Sequence, residues 1–207
     1  MHRIDGESEW SAPEVVSKYD NPAPARIISS SLSSSSSSSS SKDEVRHVLY
    51  TRQQNSAAAR GCAAEAIGWQ ACATDSTCEG LPTPAFSHPG EDPHVFRDRR
   101  GHYHMLLNAL PWTCVPKLHA GGHAWSRDGL HWSEPRVGAF SAKIALTDGR
   151  VVECERRERP KMVLDPRSGA PLALVTGVLG CPEGIFEGYR GNDDSFTLVQ
   201  EVGGGGA

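Results

Sequence analysis

Glu91-Asp92-Pro93-His94-Val95-Phe96-Arg97 is the stretch from which the rest of the chain can be read. An acidic residue stands two places before a proline, and strand-like sequence follows. The same arrangement recurs at Asp20-Asn21-Pro22 and at Glu158-Arg159-Pro160. The prolines fall at 22, 93 and 160, intervals of 71 and 67 residues. After each acidic turn comes a strand candidate: Val45 to Thr51, Gly101 to Asn108 and Pro171 to Val178. A further candidate follows in each unit: Ala66 to Thr74, Gly122 to Ser126 and Ser195 to Gln200. Turn signals such as Asp98-Arg99-Arg100-Gly101 and Asp165-Pro166-Arg167-Ser168-Gly169 separate them.

A second signal repeats out of phase with the first. Glu9-Trp10-Ser11-Ala12-Pro13-Glu14-Val15 returns as His131-Trp132-Ser133-Glu134-Pro135-Arg136-Val137. A Trp-Ser-x-Pro-like turn thus closes one unit before the acidic turn of the next. Strand-rich units of nearly fixed period predict an all-β fold of the β-propeller type. The expected organisation is one domain over residues 1–202, with about three blades and a partial one at the N-terminus. Propeller blades bring the starts of their inner strands together around one axis, so the acidic turns are expected to share a pocket. The blade count leaves the ring short. The chain is therefore expected to be a fragment, a degenerate member or the product of an incomplete gene model.

Composition sets the outer limits. The 207 residues are 38% hydrophobic and 22% charged, enough for one domain with a core. A net charge of −4 gives no nucleic-acid footprint. The apolar runs are too short to span a bilayer, and the N-terminus lacks the apolar core of a signal peptide. The six cysteines include no Cys-x-x-Cys pair, which argues against structural zinc. Cys62, Cys72 and Cys78 are close enough in sequence to bridge locally, and buried thiols are the plain alternative. No metal or cofactor is expected. Residues 56–66 read as a helix-prone insertion. Ser33 to Ser41 and Gly203 to Gly206 bury nothing and read as disordered.

Glu91 to Arg97, Gly101-His102-Tyr103-His104, Gly121 to Trp132 and Arg156 to Leu164 occur in an order and spacing that resembles the five-bladed β-propeller glycoside hydrolases of the family 32, 43 and 68 type. The resemblance covers roughly residues 9–201 and implies a carbohydrate substrate or ligand. It also implies acidic residues on separate blades. One protonates the leaving oxygen, a second attacks the sugar or activates water, and a third orients the sugar and tunes the acid. Residue by residue, Glu158 matches the general acid and Asp92 the transition-state-stabilising aspartate, with Asp20 the candidate nucleophile or base. Glu91, His123, Arg157 and Arg159 are the candidate substrate-binding residues. The arginines offer forked hydrogen bonds to a hydroxyl or carboxylate, or pair with nearby Glu153, Glu155 or Asp165. His102 and His104 share a strand face but are too few for a closed metal site. Ser126 to Trp132 reads as a structural turn built by Asp128 and Gly129, with Trp132 packing between blades.

The repeat contains its own conflict. Aligned on proline, Asp20, Glu91 and Glu158 fall in one column, and Asn21, Asp92 and Arg159 in the next. Neighbouring residues of an extended strand face opposite ways, and a residue before proline favours extended geometry. Asp92 and Glu158 are therefore expected to face one axis only if the two turns differ by one residue, as through a bulge. The alternative function is a non-catalytic propeller fragment that binds a glycan or protein.

Overall fold

The computed structural model describes residues 20–30, 43–54, 65–72, 78, 81–109, 120–186, 188–190 and 194–202. Among these residues the protein is all-β, with every strand pair antiparallel. Sheet I runs β1 (Asp20–Ser30), β2 (Asp43–Gln54), β3 (Glu65–Cys72) and β4 (Thr83–Pro89). Sheet II runs β5 (Glu91–Arg97), β6 (Tyr103–Asn108), β7 (Ala120–Ser126) and β8 (Arg136–Ser141). A small hairpin follows, β9 (Lys143–Ala145) with β10 (Val151–Glu153). Sheet III is β11 (Arg156–Leu164), β12 (Pro171–Leu179) and β13 (Ser195–Glu201). In each sheet, strands adjacent in sequence are adjacent in space.

The acidic-x-Pro segments lie within the first strand of each sheet and are not turns. All six strand candidates named above are strands, with no end shifted by more than three residues. Within the segment read as helix-prone, Glu65 and Ala66 belong to β3. The rest of that segment lies outside the described residues, as do the serine run, the terminal glycines and the N-terminal Trp-Ser-x-Pro copy. The first strands neighbour one another, β1 against β5 and β5 against β11. The described sheets succeed one another without forming a closed ring.

Both faces of sheet II are covered, which explains why β6 reads as a nearly continuous apolar run. Tyr103, Met105 and Leu107 pack with Ile27, Val48, Tyr50 and Ile67 of sheet I. Leu106 takes the other face, with Phe140 and with Leu174 of sheet III. Burying each such side chain stabilises the fold by roughly 1.5–3 kcal/mol. The turn before β8 ties the first two sheets together. Trp132 meets Tyr50 edge to face at 5.7 Å, and the Tyr50 hydroxyl donates to the Gly129 carbonyl. Gly129 has φ +75°, and a Cβ there would stand 2.3 Å from Ile27 Cδ1. The Glu134 carboxylate accepts from the backbone N–H of Ser87 (3.0 Å) and His88 (3.2 Å), hooking the same turn onto β4.

Four cysteines form disulfides, which decides between the two readings for them. Cys72 bridges to Cys78, one of the local pairings open to that trio. Cys154 bridges to Cys181, joining the end of the β9–β10 hairpin to the end of β12 beside Ile144, Val178 and Tyr189. Cys62 and Cys114 lie outside the described residues.

Candidate active site

The three first strands share one local distortion. In β5, Glu91 pairs with Asn108 and the next partner is His94 with Leu106, so three steps on one strand match two on the other. In β11 the same step runs from Glu158–Gly177 to Lys161–Val175, and in β1 from Asp20–Arg52 to Ala23–Tyr50. Each acidic-x-Pro triplet therefore carries a one-residue bulge at the same place. Proline suits it, because the ladder there needs no N–H. The residue before proline takes up the distortion: Asp92 has φ 52° and Arg159 φ 55°, left-handed values.

This corrects the geometry expected from the alternation of strand side chains. The two segments do not differ by one residue. Both are bulged, and Asp92 is not extended. Strand alternation does not carry across a bulge, so Asp92 and Glu158 can address one region from different columns. Asp92 is half-buried and its pKa is raised to about 6. Burial is the largest cause, and Glu91 adds to it. Arg159 opposes the rise, Glu158 adds to it, and Arg52 opposes it. The first strands of sheets II and III thus gather Glu91, Asp92, Glu158 and Arg159, with Arg52 reaching in from β2.

Within the group, Glu91 is already engaged. Its Oε2 lies 2.6 Å from Arg52 Nη1, and its Oε1 accepts from Asn108 Nδ2 at 3.1 Å. Glu158 is less constrained, its Oε1 standing 3.9 Å from Arg156 Nη1. Glu158 and Arg159 border an open cleft of about 520 Å³ along sheet III, together with Gly177, Ser195 and Thr197. Asp20 heads β1 opposite Arg52, the residue that holds Glu91, and its side chain lies outside the described residues.

Two of the expected substrate-binding residues are engaged elsewhere. Arg157 is buried and donates to Thr176 Oγ1 (3.0 Å), the Ser141 carbonyl (3.2 Å) and Gln200 Oε1 (2.9 Å), with Phe140 under its guanidinium. It pins β11 to its own sheet and to β8 and does not pair with Glu153, Glu155 or Asp165. His123 shares a hydrogen bond of 2.9 Å with His104, whose other ring nitrogen lies 3.4 Å from Asp98. Burial first, then His104 and Arg136, lowers the His123 pKa. No cluster of three or more His, Cys, Asp or Glu placed to hold a metal occurs among the described residues.

Arg52 and Asn108 were not singled out by motif. Arg52 follows an apolar run with nothing to mark it, and only the packing of β2 on β5 shows its role. Asn108 did leave a trace, a polar residue ending the apolar run of β6.

The described residues thus form an all-β arrangement of successive antiparallel sheets, with an arginine-flanked carboxyl cluster where the first strands meet. No protein-family model matches it, and no curated protein does. Among solved structures it is similar to a thermostable family-43 glycoside hydrolase, at 14% sequence identity and a TM-score of 0.49. The likeness covers 75% of this chain and 50% of that one, so the chain spans about half of that hydrolase's length.

Proposed function

We propose that the sheets are blades of a β-propeller and that the carboxyl cluster at β5 and β11 hydrolyses glycosidic bonds. The observation that carries this reading is Asp92, a half-buried carboxyl with a pKa of about 6 in a left-handed bulge, under the influence of Glu158 from the neighbouring sheet. Left-handed backbone before proline is unfavourable, and strain of this kind concentrates at functional sites. Glycoside hydrolysis requires one carboxyl that keeps its proton near working pH and a second that is ionised.

The pKa shift modifies the roles implied by the family resemblance. Asp92 is assigned as proton donor to the leaving oxygen, because its surroundings favour the protonated form. As the C–O bond breaks, Glu158 supports the positive charge on the sugar and either attacks it or takes a proton from the incoming water. Asp20 remains the candidate third carboxylate. The test is sugar release from aryl glycosides and soluble polysaccharides between pH 4 and 8. The expected kcat/KM falls as pH rises through about 6, and Asp92→Asn and Glu158→Gln each lower it by roughly 10²–10⁴. Turnover by Asp92→Asn at the wild-type rate overturns the assignment.

One observation favours binding without turnover. Where β5 presents Asp92, the equivalent position of β11 presents Arg159, so a carboxyl is replaced by a guanidinium. On that reading the wild-type protein binds glycans and releases no sugar at any pH tested.

A further inference from the structure

Arg159 occupies the same bulge position as Asp92, and an arginine there is costly. Asn and Asp tolerate left-handed backbone through local hydrogen bonds, whereas a long side chain has no such compensation. The side chain is also unspent. Arg52 grips Glu91, Arg100 pairs with Asp98 and Arg150 with Asp148. Arg159 has no carboxylate within 4 Å among the described residues, and its charge is felt by Asp92. That neighbour is itself biased towards its neutral form, so it does not cancel the guanidinium in acid solution.

The surroundings say what such a cation would hold. Arg159 and Glu158 stand at the border of the 520 Å³ cleft, with the exposed hydroxyl residues Ser195 and Thr197 on β13. Opposite Glu158 the ladder places Gly177, where an added Cβ would meet nothing nearer than the Glu158 carbonyl oxygen at 3.8 Å. No packing requirement accounts for that glycine, and its bareness leaves the cleft floor open. One planar guanidinium provides one fork, which suits the two oxygens of a carboxylate. Sulfate or phosphate groups usually recruit several donors. Hydroxyl-bearing walls beside it suit the rest of a sugar.

We infer that the cleft at β11–β13 selects an acidic sugar, with Arg159 forking the carboxylate of a uronic acid unit. This rests on the carbohydrate reading of the same site and adds its substrate class. Arg159 acts here as a specificity residue.

The test is calorimetric titration at pH 5.5 with trigalacturonic acid and with its fully methyl-esterified form, which keeps the sugar chain but lacks the charge and the free carboxylate fork. The free acid is expected to bind at least tenfold more tightly. Arg159→Asn, which suits left-handed backbone, should abolish that preference without lowering the melting temperature, and Arg159→Lys should restore only part of it. Equal affinity for acid and ester overturns the inference, as does a preference that survives Arg159→Asn, or binding of neither compound. A preference for the acid with no sugar release sinks only the hydrolase reading. Release of sugar with no preference sinks only this one.

Discussion

Replacing Asp92 with asparagine should stabilise the protein in neutral solution and leave it unchanged in acid. The fold raises this carboxyl from 3.8 to about 6, mainly by burying it beside Glu91. Below pH 3.8 both folded and unfolded chains hold the proton, and Asp92 costs nothing. Between 3.8 and 6 the unfolded chain releases the proton while the folded one keeps it, so stability falls as pH rises. Above about 6 the cost is complete. At ~1.4 kcal/mol per pH unit it reaches ~3 kcal/mol, and solvent on the open side of the group reduces that to about 2. Asparagine removes the charge, keeps the shape and tolerates φ 52°, so it should recover most of this. Alanine lacks that tolerance and should forfeit ~1 kcal/mol of the gain to backbone strain. The assay is urea unfolding of oxidised protein at pH 3.5, 5 and 7.5, comparing the free energies of wild type and variant. A difference that does not change with pH, or an asparagine variant less stable at pH 7.5, would refute the argument.

Glu91→Gln should act in two ways at once. It breaks the Arg52–Glu91 ion pair, at a cost of about 2–3 kcal/mol for a partly buried pair. It also removes a charge that raises Asp92, so the Asp92 titration followed by carboxyl NMR should move below 6, and an unmoved midpoint would count against the cluster. Arg157→Met should cost about 2–3 kcal/mol by stranding the buried acceptors on Thr176, Ser141 and Gln200. Arg157→Lys should rescue little, because one ammonium cannot reach three acceptors spread over three strands. A melting temperature for either variant equal to wild type would show that Arg157 does not pin sheet III.

The strands were legible because period-2 apolar runs and Asp/Gly turns are local signals. Met105-Leu106-Leu107 stands out as a short apolar run, and Asp128-Gly129 announces its own turn. The structural role read for Ser126 to Trp132 agrees with the packing of Trp132 on Tyr50. What stayed hidden depends on distant partners. Arg157 looks like any arginine in Arg156-Arg157-Glu158-Arg159 until β12, β13 and β8 surround it with acceptors. His123 looks like a pocket residue after its glycine pair, yet His104, nineteen residues earlier, supplies its partner. Gly121 has a packing reason as well, since a Cβ there would fall 2.1 Å from the Phe140 ring.

The column conflict within the repeat was the one place where a sound local rule led away from the site. Alternation required Asp92 and Glu158 to face apart, and the preference of a pre-proline residue for extended backbone seemed to enforce it. The bulge removes both premises, because it adds a residue to the strand and places the pre-proline residue at positive φ. The columns are then equivalent in geometry and different in chemistry. One carries Glu91 and Glu158, the first tied down by Arg52 and Asn108, the second left facing the cleft. The other carries Asp92 and Arg159, a carboxyl biased towards its proton beside a guanidinium that no described carboxylate neutralises. The backbone is alike at both sites, but Asp92 is half-buried and Arg159 exposed, so the surroundings as well as the side chains set this asymmetry. Arg159→Asp should therefore fold, and its carboxyl followed by NMR should titrate below Asp92, because the burial that chiefly raises Asp92 is missing there; an equal midpoint would refute this.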